Sequence, residues 1–170
     1  MNLPEKLDIL VITLSDRAHR GEYEDLSGPR IKELISEYLS SINWEYSVNI
    51  TLIPDDASML TGLIKRGSDT YNIIITTGGT GIGPRDITVD TIKPLLYKEI
   101  SGIMEFIRIK YGTLNHNALL SGGVAGIIGN SLIYTLPGSV KAVNEYMTEI
   151  LKTLKHTIYM QYGIDSHMED

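Results

Sequence analysis

The residues of this chain with the most chemistry in them are one glycine-rich loop and four aspartates. The loop reads Thr76-Thr77-Gly78-Gly79-Thr80-Gly81-Ile82-Gly83-Pro84-Arg85-Asp86 and packs four glycines into six positions. Glycine lets the backbone turn its amides toward a ligand and lets the ligand come close. Amides clustered after a buried strand favour an anion such as phosphate. A ligand-free strand-to-helix turn is the plainer alternative, but four glycines carry a large entropy cost for a turn alone. The aspartates are Asp16, Asp55, Asp86 and Asp90. A carboxylate does not bind phosphate directly, so several beside a phosphate loop require a bridging divalent cation. Oxygen-only ligands favour Mg2+.

The loop matches neither of the two best-known phosphate loops. A P-loop ends in Gly-Lys-Ser or Gly-Lys-Thr, and here Gly83-Pro84-Arg85 stands instead. A dinucleotide fingerprint counted from Gly79 and Gly81 needs its third glycine at Pro84.

The elements that must position these groups follow from the apolar pattern. Ile73-Ile74-Ile75 before the loop is a short β-branched run that suits a strand buried on both faces. Leu7 to Ser15 and Trp44 to Ile53 read as two further strands, the first ending at Ser15-Asp16 and the second at Pro54-Asp55-Asp56. Val124–Ile128 and Leu132–Leu136 flank Gly129-Asn130, a hairpin signal, and the second run ends at Pro137-Gly138-Ser139. Helices are expected from Ser27 as N-cap with Pro29 near the first turn, from Asp56 as cap over Ala57–Lys65, and over Ile87–Leu95 and Glu99–Tyr111. A long last helix is expected from Ser139, with Val143, Met147, Ile150, Leu154 and Ile158 as its core stripe. Ala18 to Asp25 reads as a loop, and Thr113 to Leu120 as irregular or weakly helical.

This order of strands and helices predicts a three-layer α/β/α domain around a central, mostly parallel sheet. In such sheets ligands sit at the carboxyl ends of the strands. That rule gathers Ser15-Asp16, Asp55, the Gly78–Asp86 loop and Pro137-Gly138-Ser139 at one edge, although they lie far apart along the chain.

Composition sets outer bounds. With 170 residues, one domain over 1–164 with a frayed acidic tail at 165–170 is expected. A hydrophobic fraction of 42% with 21% charged residues is ordinary for a soluble globular protein. The net charge of -6 argues against general nucleic-acid binding. Cysteine is absent, so there is no disulfide framework and no thiolate metal site. His19, His116, His156 and His167 have no metal-ligand spacing. No apolar run approaches a membrane span, and Met1 to Lys6 lacks signal-peptide character, so a cytoplasmic location is expected.

Four motifs in order carry a resemblance. They are Ser15-Asp16 followed by Gly21, Asp25 and Ser27-Gly28-Pro29; Pro54-Asp55; Thr76 to Gly81 with Arg85-Asp86-Ile87-Thr88; and Leu136-Pro137-Gly138-Ser139 with Lys141-Ala142-Val143. Over about Leu7 to Leu154 the chain resembles the molybdenum-cofactor biosynthesis family of MogA/MoaB type, which includes the gephyrin G domain. The resemblance implies a MogA-like fold and a reaction: transfer of AMP from Mg·ATP to the terminal phosphate of molybdopterin, with release of pyrophosphate. It implies Asp55 and Asp86 as catalytic or metal carboxylates, leaving open which holds Mg2+ and which orients the pterin. It implies that Thr77, Gly78, Gly79, Thr80 and Gly81 hold phosphate or pterin, and that Ser15, Asp16, Ser121, Pro137, Gly138 and Ser139 complete the walls; Asp90 is expected among the substrate- or nucleotide-binding residues with them. It implies a homotrimer or a pair of trimers, and a molybdenum insertase as a further partner. One departure stands out: many relatives have Ser-Arg where this chain has Ser121-Gly122. The resemblance therefore also admits a non-catalytic molybdopterin-binding or assembly protein on the same scaffold.

Overall fold

The apolar runs at Leu7–Leu14, Ile73–Ile75 and Leu132–Leu136 form the middle of a six-stranded sheet. The computed structural model describes residues 3–164; the expected frayed tail at 165–170 lies outside them. The strands are β1 (Lys6–Leu14), β2 (Glu45–Ile53), β3 (Ile73–Thr77), β4 (Lys98–Glu99), β5 (Ala125–Ile128) and β6 (Ser131–Leu136), in the order β2-β1-β3-β6-β5-β4. The pairs β1–β2, β1–β3 and β3–β6 are parallel, and β5 runs antiparallel to both its neighbours. Register aligns the four parallel ends: Leu14 beside Ile53, Thr13 beside Thr77, Thr77 beside Leu136.

Alternation along the strands builds two cores. Leu7, Ile9 and Val11 of β1, with Ile73 and Ile75 of β3, face α2 (Ser27–Ser41), α5 (Ser101–Gly112) and α6 (Val140–Gln161). Leu10, Ile12, Leu14 and Ile74 face the other way, toward α3 (Ala57–Gly67) and α4 (Thr88–Ile92). In α2 the helical spacing buries Ile31, Ile35 and Leu39 completely, each worth roughly 1.5–3 kcal/mol relative to exposure. The three-layer α/β/α plan expected from the sequence is the one observed.

Several local expectations change. The helix at Ser27 is not capped by Ser27; the Asp25 carboxylate does that, accepting from the Ser27 amide at 2.9 Å, the Ser27 hydroxyl at 2.9 Å and the Gly28 amide at 3.2 Å. Asp16 to His19, part of which reads as loop, forms a one-turn helix, α1, capped by Ser15. Lys98–Glu99 pairs with Ile127 and Gly126, so α5 begins at Ser101 instead of Glu99. Asp56 and Ser139 do cap α3 and α6, accepting from the Met59 and Ala142 amides.

Candidate functional site: two clefts that share the glycine loop

The parallel strand ends deliver their polar residues to one edge, and the glycine loop stands upright there. Gly78 has φ +101°, and a Cβ at this position would run into the Leu14 carbonyl. Gly79 has φ +64°, and its Cβ would come within 2.5 Å of the Thr88 hydroxyl. Side chains are therefore excluded at both positions by conformation and by space. Thr88 pins the loop from α4, with its hydroxyl donating to the Gly78 carbonyl at 2.8 Å and its amide to the Gly79 carbonyl at 3.0 Å.

A first cleft of about 300 Å3 lies on one side of the loop, lined by Ser15, Asp16, Arg17, Tyr23, Asp55, Gly79, Gly83, Pro84, Arg85 and Asp86. Asp16 and Asp55 hold each other by reciprocal bonds. The Asp16 amide donates to the Asp55 carboxylate at 3.3 Å, and the Asp55 amide donates to the Asp16 carboxylate at 3.1 Å. Each carboxylate is oriented by backbone and brings no neutralising cation to the other. Burial pushes the Asp55 carboxyl above its usual range, and the negative charges of Asp16 and Asp86 push the same way. The Asp16 amide and Arg85 pull against them without winning. Asp86 closes the loop, accepting from the Gly83 amide at 2.9 Å. Ser15 caps α1 and shares a 2.7 Å hydrogen bond with the Tyr23 hydroxyl, over whose ring the Arg17 guanidinium sits at 5.2 Å.

A second cleft, about 330 Å3, lies on the other side. Gly79 and Asp86 line both clefts. Thr80, Gly81, Ser121, Pro137, Gly138 and Ser139 belong to the second, with Asn115, Asn117, Lys141 and Tyr146.

Most of the expected site residues thus converge. Thr77 and Gly78 lie beneath the loop: Thr77 is fully buried and its hydroxyl donates to the Pro137 carbonyl at 2.9 Å, so it braces the site from below. Asp90 does not join the clefts; it is exposed on α4 and lines a shallow groove toward α3 with Ala57, Ser58 and Thr61. Asp86 ends the loop and faces back onto it, bonded to the Gly83 amide, whereas Asp90 lies within α4 on the side toward α3. Sequence reasoning missed Arg17, Tyr23, Asn115, Asn117 and Tyr146. Tyr146 carries no separate signal, since it falls within the apolar stripe of α6. Among the described residues no group of three or more His, Cys, Asp or Glu is arranged as a metal cage. No described helix is long and apolar enough to cross a membrane.

A three-layer α/β fold with a glycine loop between two clefts, one mainly polar and one mainly apolar, has the layout of an α/β protein that takes its ligands at the carboxyl ends of the strands. Residues 10–156 match the family model described as a probable molybdopterin binding domain, and the chain belongs to that family. It is 37% identical over 162 residues to a molybdopterin adenylyltransferase of Pyrococcus furiosus, covering 90% of this chain and 92% of that protein. It is likewise 37% identical to molybdenum cofactor biosynthesis protein B of Staphylococcus carnosus, covering 94% and 93%. Gephyrin of Dictyostelium discoideum is 39% identical over 87% of this chain, which spans only 21% of that longer protein. It also spans only 26% of the molybdenum cofactor synthesis protein cinnamon of Drosophila melanogaster. Among solved structures, a molybdopterin biosynthesis protein from Mycobacterium abscessus superposes with a TM-score of 0.82 at 30% identity, covering 92% of this chain and 97% of that one.

Proposed function

We propose that this chain is a molybdopterin adenylyltransferase, taking the nucleoside triphosphate in the first cleft and the pterin in the second. One observation carries the reading: two clefts of different chemistry meet at Gly79 and Asp86, as a transfer between two bound substrates requires. The first cleft is lined by three carboxylates, and Asp55 is held protonation-prone by its surroundings. Such a set fits a divalent cation shared with substrate phosphates, because Mg2+ usually takes only one or two protein carboxylates and completes its shell with phosphate and water. Asp55 and Asp86 are the residues that would hold it. Mg2+ when bound would neutralise charge on the triphosphate.

The chain's own residues then do the rest. Arg85 and Arg17 flank the first cleft as the cations available to the polyphosphate. The loop amides from Gly79 to Ile82 would be the donors to the α-phosphate, since the Gly83 amide is taken by Asp86. The molybdopterin phosphate oxygen attacks the α-phosphorus, a new P–O bond forms, the α–β anhydride bond breaks, and pyrophosphate leaves. Positioning and charge stabilisation supply the rate, since phosphoryl chemistry asks little covalent work of the protein. The adenylated pterin would pass to a metal insertase, in the cytoplasm.

The outer face of α5 and the turn after it supports assembly: Phe106, Ile109, Leu114, Leu119 and Leu120 are all more than half exposed. A homotrimer, or a pair of trimers, would cover this face. A monomer mass by light scattering at micromolar concentration contradicts it.

One feature favours a second reading, a pterin-binding protein without catalysis: position 122, beside the second cleft's Ser121, is glycine and supplies no cation. Incubation with molybdopterin, Mg2+ and ATP labelled at the α-phosphate decides between the two. Label transferred to the pterin with release of pyrophosphate supports the enzyme; bound pterin with no label transfer supports the scaffold.

A further inference from the structure

The turn Ser121–Gly123 carries a hydroxyl to the wall of the second cleft, and three bonds from different elements fix that turn. The Gly122 amide donates to the Thr80 carbonyl at 2.8 Å. From α5, the Arg108 guanidinium donates to the Gly123 carbonyl at 2.9 Å. From α6, the Tyr146 hydroxyl donates to Ser121 Oγ at 3.1 Å. The Gly123 amide adds a long contact to the same oxygen at 3.5 Å. A serine hydroxyl has two acceptor positions and one proton. With Tyr146 donating to one acceptor position and the Gly123 amide close to the other, the Ser121 proton is directed away from both. Two directions are open to that proton: the Thr80 hydroxyl 3.2 Å away, or a ligand in the cleft that Thr80 and Ser121 both line.

Tyr146 of α6 spans the core and the cleft. Its ring is 3% exposed and packs in the α2–α5–α6 core, while its hydroxyl reaches the cleft wall. Burial pushes its phenol up, with the Ser121 bond and Arg108 opposing, so the group stays a protonated donor near neutral pH.

We propose that Tyr146 is a positioning residue that commits Ser121 to donate to an acceptor oxygen, phosphate or ring carbonyl, of the pterin substrate in the second cleft. The inference rests on the preceding reading for the identity of the ligand. Without Tyr146, Ser121 can rotate and present lone pairs to the ligand's oxygen, a repulsive contact.

Tyr146→Phe keeps the ring and removes the donor. The test compares wild type, Tyr146→Phe, Ser121→Ala and the double variant for molybdopterin affinity, followed anaerobically by pterin fluorescence, with melting temperature as the check on folding. For a neutral hydrogen bond the expected loss is about two- to ten-fold in affinity for either single variant. The double variant is expected to bind no more weakly than Ser121→Ala alone, because Tyr146 acts through Ser121. In turnover the KM for molybdopterin rises while kcat at saturation changes by less than about two-fold, as loss of uniform binding dictates. Tyr146→Phe that binds like wild type overturns the inference, as does one that weakens binding equally with and without the Ser121 hydroxyl. Wild type that binds molybdopterin but transfers no AMP removes the enzyme reading alone, and the four affinities still decide this one.

Discussion

Asp55 just past β2 is half-buried and Glu149 in the middle of α6 is buried, and their surroundings treat them in opposite ways. Glu149 is 5% exposed, and three groups converge on it: Lys110 at 2.7 Å, Lys152 at 2.9 Å and the Tyr111 hydroxyl at 3.1 Å. Burial by itself would raise its pKa, but those bonds outweigh it and bring the value down to about 2. Asp55 receives one long amide bond and faces two further carboxylates, and its pKa moves up. The first arrangement ties α5 to α6. The second leaves charge uncompensated at a cleft, which a protein tolerates where a ligand will supply the compensation. On the proposed reading, the contrast separates a carboxylate that holds the fold from one kept for a substrate.

The largest expected effect comes from breaking the cleft side. Asp55→Asn or Asp86→Asn should cut adenylyl transfer by at least about 100-fold, the usual scale for an electrostatic contact made in the transition state. Stability should move little. Because the folded pKa of Asp55 lies above its unfolded value, the ionised group costs stability at neutral pH, and that cost fades as pH falls through the folded pKa and is gone below the unfolded value. Asn removes the cost, so the melting temperature of Asp55→Asn should equal or exceed that of wild type. A large drop there would put Asp55 among the structural groups.

Glu149→Gln should do the reverse. It should lose about 1.5–3 kcal/mol in denaturant unfolding, the scale of charge-assisted hydrogen bonds, while kcat stays at the wild-type value. A variant as stable as wild type would mean that the α5–α6 tie contributes nothing.

A smaller change sharpens the contrast by adding a cation near the site. Gly122 is not among the glycines with positive φ, and a Cβ there would meet only ordinary contacts at 3.6–3.7 Å with Thr80 and Val89. Gly122→Arg should therefore fold, and a new phosphate contact should tighten molybdopterin or ATP binding roughly ten-fold. Unchanged affinity in calorimetry would show that the position does not face the ligand.

The Glu149 contact is probed a second way in acid. The folded pKa of Glu149 is depressed, so its contribution is present above the unfolded value of 4.5 and is lost as pH falls toward about 2. Wild-type stability should fall more steeply than that of Glu149→Gln across this window. Parallel stability curves would remove Glu149 from the account.

The layer plan and the converging strand ends were legible because β-branched runs and their polar exits are local features. Asp56 and Ser139 were readable as caps for the same reason. Asp25 was not, because Ser27-Gly28-Pro29 looks like a sufficient helix start, while the capping carboxylate reaches in from two residues upstream. Lys98–Glu99 has no strand signal and becomes β4 only by lying against β5. Asp90 looks like a member of the carboxylate set in one dimension, yet it belongs to α4 and faces α3, while Asp86 stays in the loop. Tyr146 was unreadable as a site residue, since an apolar stripe does not say where a hydroxyl at its edge will point.

The claim that the cleft carboxylates await a metal–nucleotide complex is tested most directly by ATP affinity measured with and without Mg2+ in wild type and Asp55→Asn. Wild type is expected to bind ATP at least ten-fold more tightly with Mg2+, on the order of one charge-assisted contact, and Asp55→Asn to lose most of that dependence. ATP bound with equal affinity in the presence and absence of Mg2+, by both proteins, would contradict it.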